Sequence, residues 1–287
     1  MVGVVRVQDA LRSAARRRYE TASIPPFTAF FHPTDPSPFF NYAIPDRPVA
    51  AGLESPFHAV REAFEARGLR ARFEFLEAVA PDLGSALVTA GFREEARQPL
   101  LIRRLDAAPA ASRLEGVVVV VLTARADAAE AKTLIATQRH GFDPTDSRPV
   151  NEDDVRRLQE ELQRGAVGLL ARLDGRPVAA ALTTEPVCGL VELCGLVTLE
   201  PYRGRGIATA LVAAGLQRAL ESGLEAVFLT AADEAAGRLY ARAGFLPLGV
   251  ALSFGDPVPH GEEPVPRQGH PPRVPPEVMN AQERRER

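Results

Sequence analysis

The strongest constraint on the fold is a set of matching units 153 residues apart. Phe75-Leu76 is followed by a helix-like stretch ending in Ala90-Gly91-Phe92, and Phe228-Leu229 by one ending in Ala243-Gly244-Phe245. Upstream, Gly68-Leu69 and Gly223-Leu224 each close a helix, at an offset of 155. Each half therefore reads helix, glycine stop, strand, helix, Gly-Phe, strand. Glycine just past a last helical turn stops the helix because it takes positive φ without a Cβ clash. A unit of this kind repeated once in 287 residues points to a duplicated α/β architecture.

The segment Asp106–Arg113, with Pro109 and four alanines, separates the repeats. The expected organisation is a first domain over 1–105, a linker over 106–116, a second domain over 117–254 and a proline-rich tail over 255–287. The tail carries eight prolines and ends in Glu283-Arg284-Arg285-Glu286-Arg287. It offers too little apolar surface to offset its ordering entropy. Prolines also cluster at Pro25–Pro48, but Phe27, Phe30, Phe31, Phe39 and Phe40 mark that stretch as folded.

Charge and composition exclude several functions. Apolar residues make up 46% and the formal charge is −3, which speaks against a dedicated nucleic-acid binder. The longest pure apolar run, Val117–Leu122, is far below the roughly 20 residues that span a bilayer. Arg6 and Arg12 interrupt any signal-peptide core, so a cytoplasmic location is expected. Cys188 and Cys194 are read as plain thiols, and no metal is expected. Lys132 is the single lysine, and no catalytic lysine is expected.

In the second half the spacing predicts a strand over Val117–Thr123 and helices over Asp127–Arg139 and Glu152–Gln163, the latter capped by Asn151. A hairpin follows, Val167–Leu173 and Val178–Glu185, turned by Asp174-Gly175. Next come a strand at Leu190–Leu199, a helix at Ile207–Ser222, a strand at Ala226–Thr230, a helix at Asp233–Ala243 and a strand at Phe245–Phe254. Arg203-Gly204-Arg205-Gly206-Ile207-Ala208-Thr209 lies between a strand and a helix. The first amides of a helix lack internal partners, and the positive end of its dipole stands behind them. Glycines let a bulky anion approach, so this turn is a ready pyrophosphate site. Arg205 offers a charge-assisted contact. The turn lacks the Gly-Lys-Ser/Thr of a Walker loop and the third glycine of a dinucleotide fingerprint.

Residues 117–252 resemble the GNAT acetyltransferase family. Arg203-x-x-Gly206-x-Ala208 matches its acyl-CoA motif, and Asp233-x-x-Ala236-x-x-Leu239-Tyr240-x-x-x-Gly244-Phe245 its downstream pattern. Asp233 replaces a frequent Asn, and Glu200-Pro201 reverses the usual order. The resemblance implies an α/β fold of two GNAT-like domains, each a mixed central sheet flanked by helices. It implies that acetyl-CoA is the co-substrate and that an amine of a small molecule or peptide attacks it in a ternary complex. Val197, Thr198 and Leu199 would pair with the pantetheine arm. Amides of Arg203, Gly204, Arg205, Gly206, Ile207, Ala208 and Thr209 would hold the pyrophosphate, with Asp233 near the cofactor. An amide of the Leu190–Leu199 strand would face the oxyanion, and Tyr240 would be the general acid.

For the base, Glu192 is preferred over Glu200, while Arg139, His140 and Asp143 fall in the acceptor-loop region. Leu87 and Ala80 occupy the places of Tyr240 and Asp233 in the first half, which is therefore expected to be a degenerate unit that shapes the acceptor cleft. Either a monomer or a homodimer fits such a tandem chain. Two other readings stay open: a non-catalytic acyl-CoA-binding or regulatory module, and an interaction protein that binds no CoA.

Overall fold

The computed structural model describes residues 2–33, 35–49, 52–109 and 114–257. The tail expected over 255–287 lies almost wholly outside the described residues. The first half runs α1 (Val4–Arg18), β1 (Glu20–Ile24), β2 (Phe27–Phe31), β3 (Tyr42–Pro45), α2 (Glu54–Glu65), β4 (Arg72–Leu76), α3 (Leu83–Thr89) and β5 (Arg93–Arg104). The second runs β6 (Val117–Leu122), α4 (Ala128–Phe142), α5 (Glu152–Gln163), β7 (Val167–Leu173) and β8 (Arg176–Thr183). It continues with β9 (Leu190–Thr198), α6 (Ile207–Glu221), β10 (Ala226–Thr230), α7 (Glu234–Arg242) and β11 (Leu246–Gly255).

The helix stops act as their glycines require. Gly68, Gly91, Gly223 and Gly244 all take positive φ. Beyond each, an amide reaches back to the helix: Leu69 to Phe64, Phe92 to Leu87, Leu224 to Ala219 and Phe245 to Tyr240, at 2.9–3.2 Å. This is the glycine-terminated closure of a helix, used four times at repeat-related positions. Asn151 caps α5 as expected, and Asp154 completes a reciprocal capping box.

The strands form one sheet of 11, in the order β1-β2-β3-β4-β11-β5-β10-β9-β8-β7-β6. The order is nearly symmetric about the antiparallel β5–β11 pair. Parallel pairs β3–β4 and β9–β10 occupy matching places on either side. The sequence-based cut at 106–116 does not divide this sheet. β5, counted with the first half, pairs with β10 of the second, while β11 of the second pairs with β4 of the first. Each half thus gives its last strand to the other.

Alternation along the strands sends side chains to two helical layers. Leu169 and Ala171 of β7 pack toward α6, whereas Leu170 packs with Leu134, Leu158 and Leu162 of α4 and α5. In the first half Phe27, Ala29 and Phe31 pack with Phe57, Val60 and Phe64 of α2, and Phe30 faces Ala15 of α1. Helix α1 also ties the halves by charge: Arg6 pairs with Glu225, Arg17 with Glu185 and Arg18 with Glu161, at 2.8, 3.2 and 2.6 Å. Among the described residues no helix is long and apolar enough to cross a membrane.

Candidate active site

Strands β9 and β10 pair only through Leu190–Glu192 and Ala226–Phe228. Beyond that point they splay, and a cavity of about 540 Å³ opens between them. Its second-half wall includes Glu192, Cys194, Gly195, Leu196, Thr198, Ala208, Thr230, Ala236 and Tyr240. Its other wall comes from the first half and includes Arg18, Tyr19, Tyr42 and Glu74.

The β8–β9 ladder explains how the edge of β9 is presented. Leu182 faces Cys194, but Ala180 faces Val197, so Ala181 stands opposite Gly195-Leu196. This is a β-bulge, which bends a strand and re-aims its backbone groups. Gly195 takes φ +61° there, and the Gln138 amide nitrogen donates to its carbonyl at 2.9 Å.

Beyond the bulge the pleat decides which backbone groups are available. The Leu199 amide donates to Val178 O at 2.9 Å, and Val197 stands opposite Ala180. Both residues face β8, which corrects the expectation that Val197, Thr198 and Leu199 share one open edge. Thr198 faces the cavity: its carbonyl accepts from Arg203 Nε at 3.0 Å, and its Oγ1 is buried without a hydrogen-bond partner.

The glycine turn leads into α6 as its sequence requires. Gly204 and Gly206 have φ +76° and +79°. Gly206 caps α6 without any side-chain hydrogen bond, which leaves the amides of Ile207, Ala208 and Thr209 for an external acceptor. A Cβ on Gly204 would meet nothing within 4 Å, and one on Gly206 would meet only Leu114, at 3.6 Å. The two arginines are held by the loop itself. Arg203 bonds Thr198 O, while Arg205 donates to Pro201 O at 3.1 Å and lies over the Tyr202 ring. An open amide turn, an orphaned Thr198 hydroxyl and a neutral cavity wall fit the pyrophosphate and amide arm of an acyl-CoA.

Tyr240 projects from α7 into the same cavity and is 8% exposed. Its ring packs edge-on against Phe245. Burial, with Cys194 and Asp233 nearby, pushes its phenol up to about 12. The group is therefore protonated across the physiological range. Burial likewise pushes the Cys194 thiol up, so it remains a thiol. Asp233 is the N-cap of α7, accepting from the Ala236 amide at 2.8 Å. Aspartate at an N-cap satisfies one of the orphan amides, which accounts for its presence.

The carboxylate candidates separate clearly. Glu192 lines the cavity, whereas Glu200 is exposed in a short turn and does not. Arg139 pairs with Asp154 at 2.9 Å, Asp143 is used by Thr145 in a local turn, and His140 is exposed. From the acceptor-loop region it is Gln138 and Phe142 that reach the cavity. Sequence reasoning missed Tyr19, Tyr42, Arg18 and Glu74 as site residues. No local motif marks them; only the pairing of the two halves brings them to the cleft.

The site thus combines a splayed parallel pair, a bulged strand and a glycine turn at a helix N-terminus. Residues 134–245 match the profile of the Acetyltransferase (GNAT) family. A GCN5-related N-acetyltransferase from Kribbella flavida aligns over 91% of this chain and 98% of its own, with 26% identity and a TM-score of 0.75. A tandem GNAT protein from the clavulanic acid biosynthesis pathway shares the fold at 15% identity, over 81% of this chain and 79% of its own, with a TM-score of 0.57. The N-alpha-acetyltransferase MAK3 of Arabidopsis thaliana is 47% identical over 53 residues, which is 18% of this chain and 28% of that relative.

Proposed function

We propose that the second half transfers an acetyl group from acetyl-CoA to an amine by direct attack, and that the first half is a degenerate unit without transferase machinery of its own. The observation that carries the reading is the convergence of Ala208, in the first turn of α6, and the protonated Tyr240 on one cavity. Acetyl-CoA, when bound, supplies the activated acyl carbonyl. The α6 amides and Thr198 hold it, and α6 contributes the positive end of its dipole. The backbone at the Gly195-Leu196 bulge faces the carbonyl oxygen as negative charge develops. Glu192 accepts the proton that the acceptor ammonium must lose before it attacks. Tyr240 gives its proton to the departing thiolate and regains one from the nitrogen that becomes the amide.

The role of Tyr240 follows from its position and its proton. The phenol is held up at about 12, so it rests protonated and gives its proton to sulfur only as the C–S bond breaks. Tyr240→Phe removes the proton and keeps the ring against Phe245. Thiol release from acetyl-CoA in the presence of an amine panel is expected to fall by about 10²–10⁴ in kcat, while acetyl-CoA binding measured by calorimetry is retained. Unchanged kcat would remove Tyr240 from the mechanism. Binding with no turnover by the parent chain on any amine would favour the non-catalytic acyl-CoA-binding module.

A further inference from the structure

The two walls of the cavity differ in chemistry. The wall beside α6 and α7 (Thr198, Ala208, Thr230, Ala236, Leu239) is small and uncharged. The charged lining lies elsewhere, in Arg18, Glu74 and Glu192, and sums to one net negative charge. Arg18 is bound to Glu161 at 2.6 Å, so its guanidinium is matched by a carboxylate outside the lining. Glu74 is ion-paired with Arg72, which is 1% exposed and also holds Glu95 at 2.7 Å. These pairs fix the carboxylate of Glu74 in place, and among the described residues that line the cavity Arg18 is the one cation, already matched by Glu161.

The same wall is aromatic. Tyr19, Phe39, Phe40 and Tyr42 all line it, and all four belong to the first half. Tyr19 stands edge-on to Tyr42 with ring centroids 6.1 Å apart, and His32 packs against both Tyr19 and Phe40 at 5.9 and 5.6 Å. Burial holds the Tyr19 and Tyr42 phenols neutral, so they present ring faces and hydroxyls rather than charge. Ring faces attract a cation and bury an apolar body.

We propose that the acceptor is a small monocationic amine with an aromatic or bulky apolar body, seated by Tyr19, Tyr42, Phe39 and Phe40 with its ammonium toward Glu74 and Glu192. This rests on the acyl-transfer reading and adds to it the class of acceptor and the half of the chain that selects it. A carboxylate on the acceptor would meet Glu74 and Glu192 without a spare cation, so a free amino acid is rejected relative to its decarboxylated amine. A long polycation finds too few carboxylates for its further charges. A peptide must fit its second residue and onward chain into a cavity that the acyl arm already shares.

The test uses the full chain, acetyl-CoA and thiol release, with four acceptors: phenethylamine, phenylalanine, spermidine and a tetrapeptide with a free N-terminus. The expected result is a kcat/KM for phenethylamine at least tenfold above each of the others. Tyr19→Ala and Phe40→Ala, which lie at half-buried positions, should each raise the KM for phenethylamine about tenfold with little change in kcat, and Tyr19→Phe should restore it. Turnover of phenylalanine, spermidine or the peptide equal to or above that of phenethylamine overturns the proposal. So does an effect of both alanine variants on kcat alone. Calorimetry on the same samples separates the two levels: acetyl-CoA binding without phenethylamine turnover defeats the acceptor assignment only, whereas no acetyl-CoA binding defeats the acyl-transfer reading beneath it.

Discussion

Gly195→Ala is the substitution most revealing about the β9 bulge. Gly195 has φ +61°, and an added Cβ would lie 2.3 Å from the Gln138 amide nitrogen. Holding alanine in the left-handed region costs on the order of 1 kcal/mol. Displacing Gln138 forfeits its 2.9 Å bond to the Gly195 carbonyl, worth about 0.5–1.5 kcal/mol net. The sum is about 1.5–2.5 kcal/mol, or roughly 3–10 °C in Tm for a chain of this size. The functional effect should be larger. If the bulge aims a backbone amide at the acyl oxygen, kcat falls by about 10²-fold, the loss typical of one oxyanion donor. The control is Gly175→Ala in the β7–β8 hairpin. It has φ +80° and open space around its Cβ, so it carries the backbone strain without touching the site. Thermal melts and thiol-release kinetics on both variants, side by side, separate the two effects. A Gly195→Ala protein with lowered Tm and undiminished kcat would refute the assignment of this bulge to the oxyanion.

Four further outcomes follow from the geometry. Arg72→Met takes the buried guanidinium from Glu74 and leaves Glu95 to Arg70, and should lower stability by about 1–3 kcal/mol in a urea titration; no loss would show that the pair contributes little. Gly244→Ala puts a Cβ at 2.0 Å from Arg103 Nη1 at φ +83° and should destabilise by about 2–4 kcal/mol, visible as a lower melting temperature. The Tyr240 phenol is held up at about 12, above its ordinary 10, so its share of stability is fully present below pH 10. That share, about 2–3 kcal/mol from two pH units, is lost as pH climbs from 10 to 12, and Tyr240→Phe should flatten the decline. The segment 106–257 expressed alone lacks β5 and leaves β10 and β11 with open edges; it should fail to give a cooperative melt, and a stable monomer would contradict the strand exchange.

Much of the second half was legible in the sequence because its local signals agree. The α5 boundaries, the Asp174-Gly175 hairpin and the Gly-Phe stops each rest on short-range chemistry that the fold keeps. The strand exchange was not legible. β4 carries Arg72 and Glu74 on one face while β10 is apolar on both, but neither pattern names a neighbour, so pattern alone permits either to pair with β5 or β11. At Asp233 one residue type serves both as a helix cap and as a ligand contact, and the sequence does not show the 2.8 Å bond to the Ala236 amide. The orientations of Val197 and Leu199 were lost for another reason: the bulge shifts the pleat beyond Gly195, and a one-residue shift reverses which groups face the opening. Tyr19, Tyr42 and Glu74 lie more than 100 residues from the motifs they join, and nothing near them in the sequence speaks of a site.

The central claim is that the Gly204–Gly206 turn and the N-terminus of α6 hold the pyrophosphate of an acyl-CoA. Calorimetric titration of acetyl-CoA into the parent chain and into Gly206→Glu tests it most directly. The substitution brings a carboxylate, at a positive-φ position, to where the phosphate charge should rest, so like-charge repulsion and backbone strain act together. The account predicts saturable binding by the parent and none by the variant, with melting curves showing that the variant is folded. Equal binding by both proteins would place the cofactor elsewhere, and no binding by the parent would contradict the claim outright.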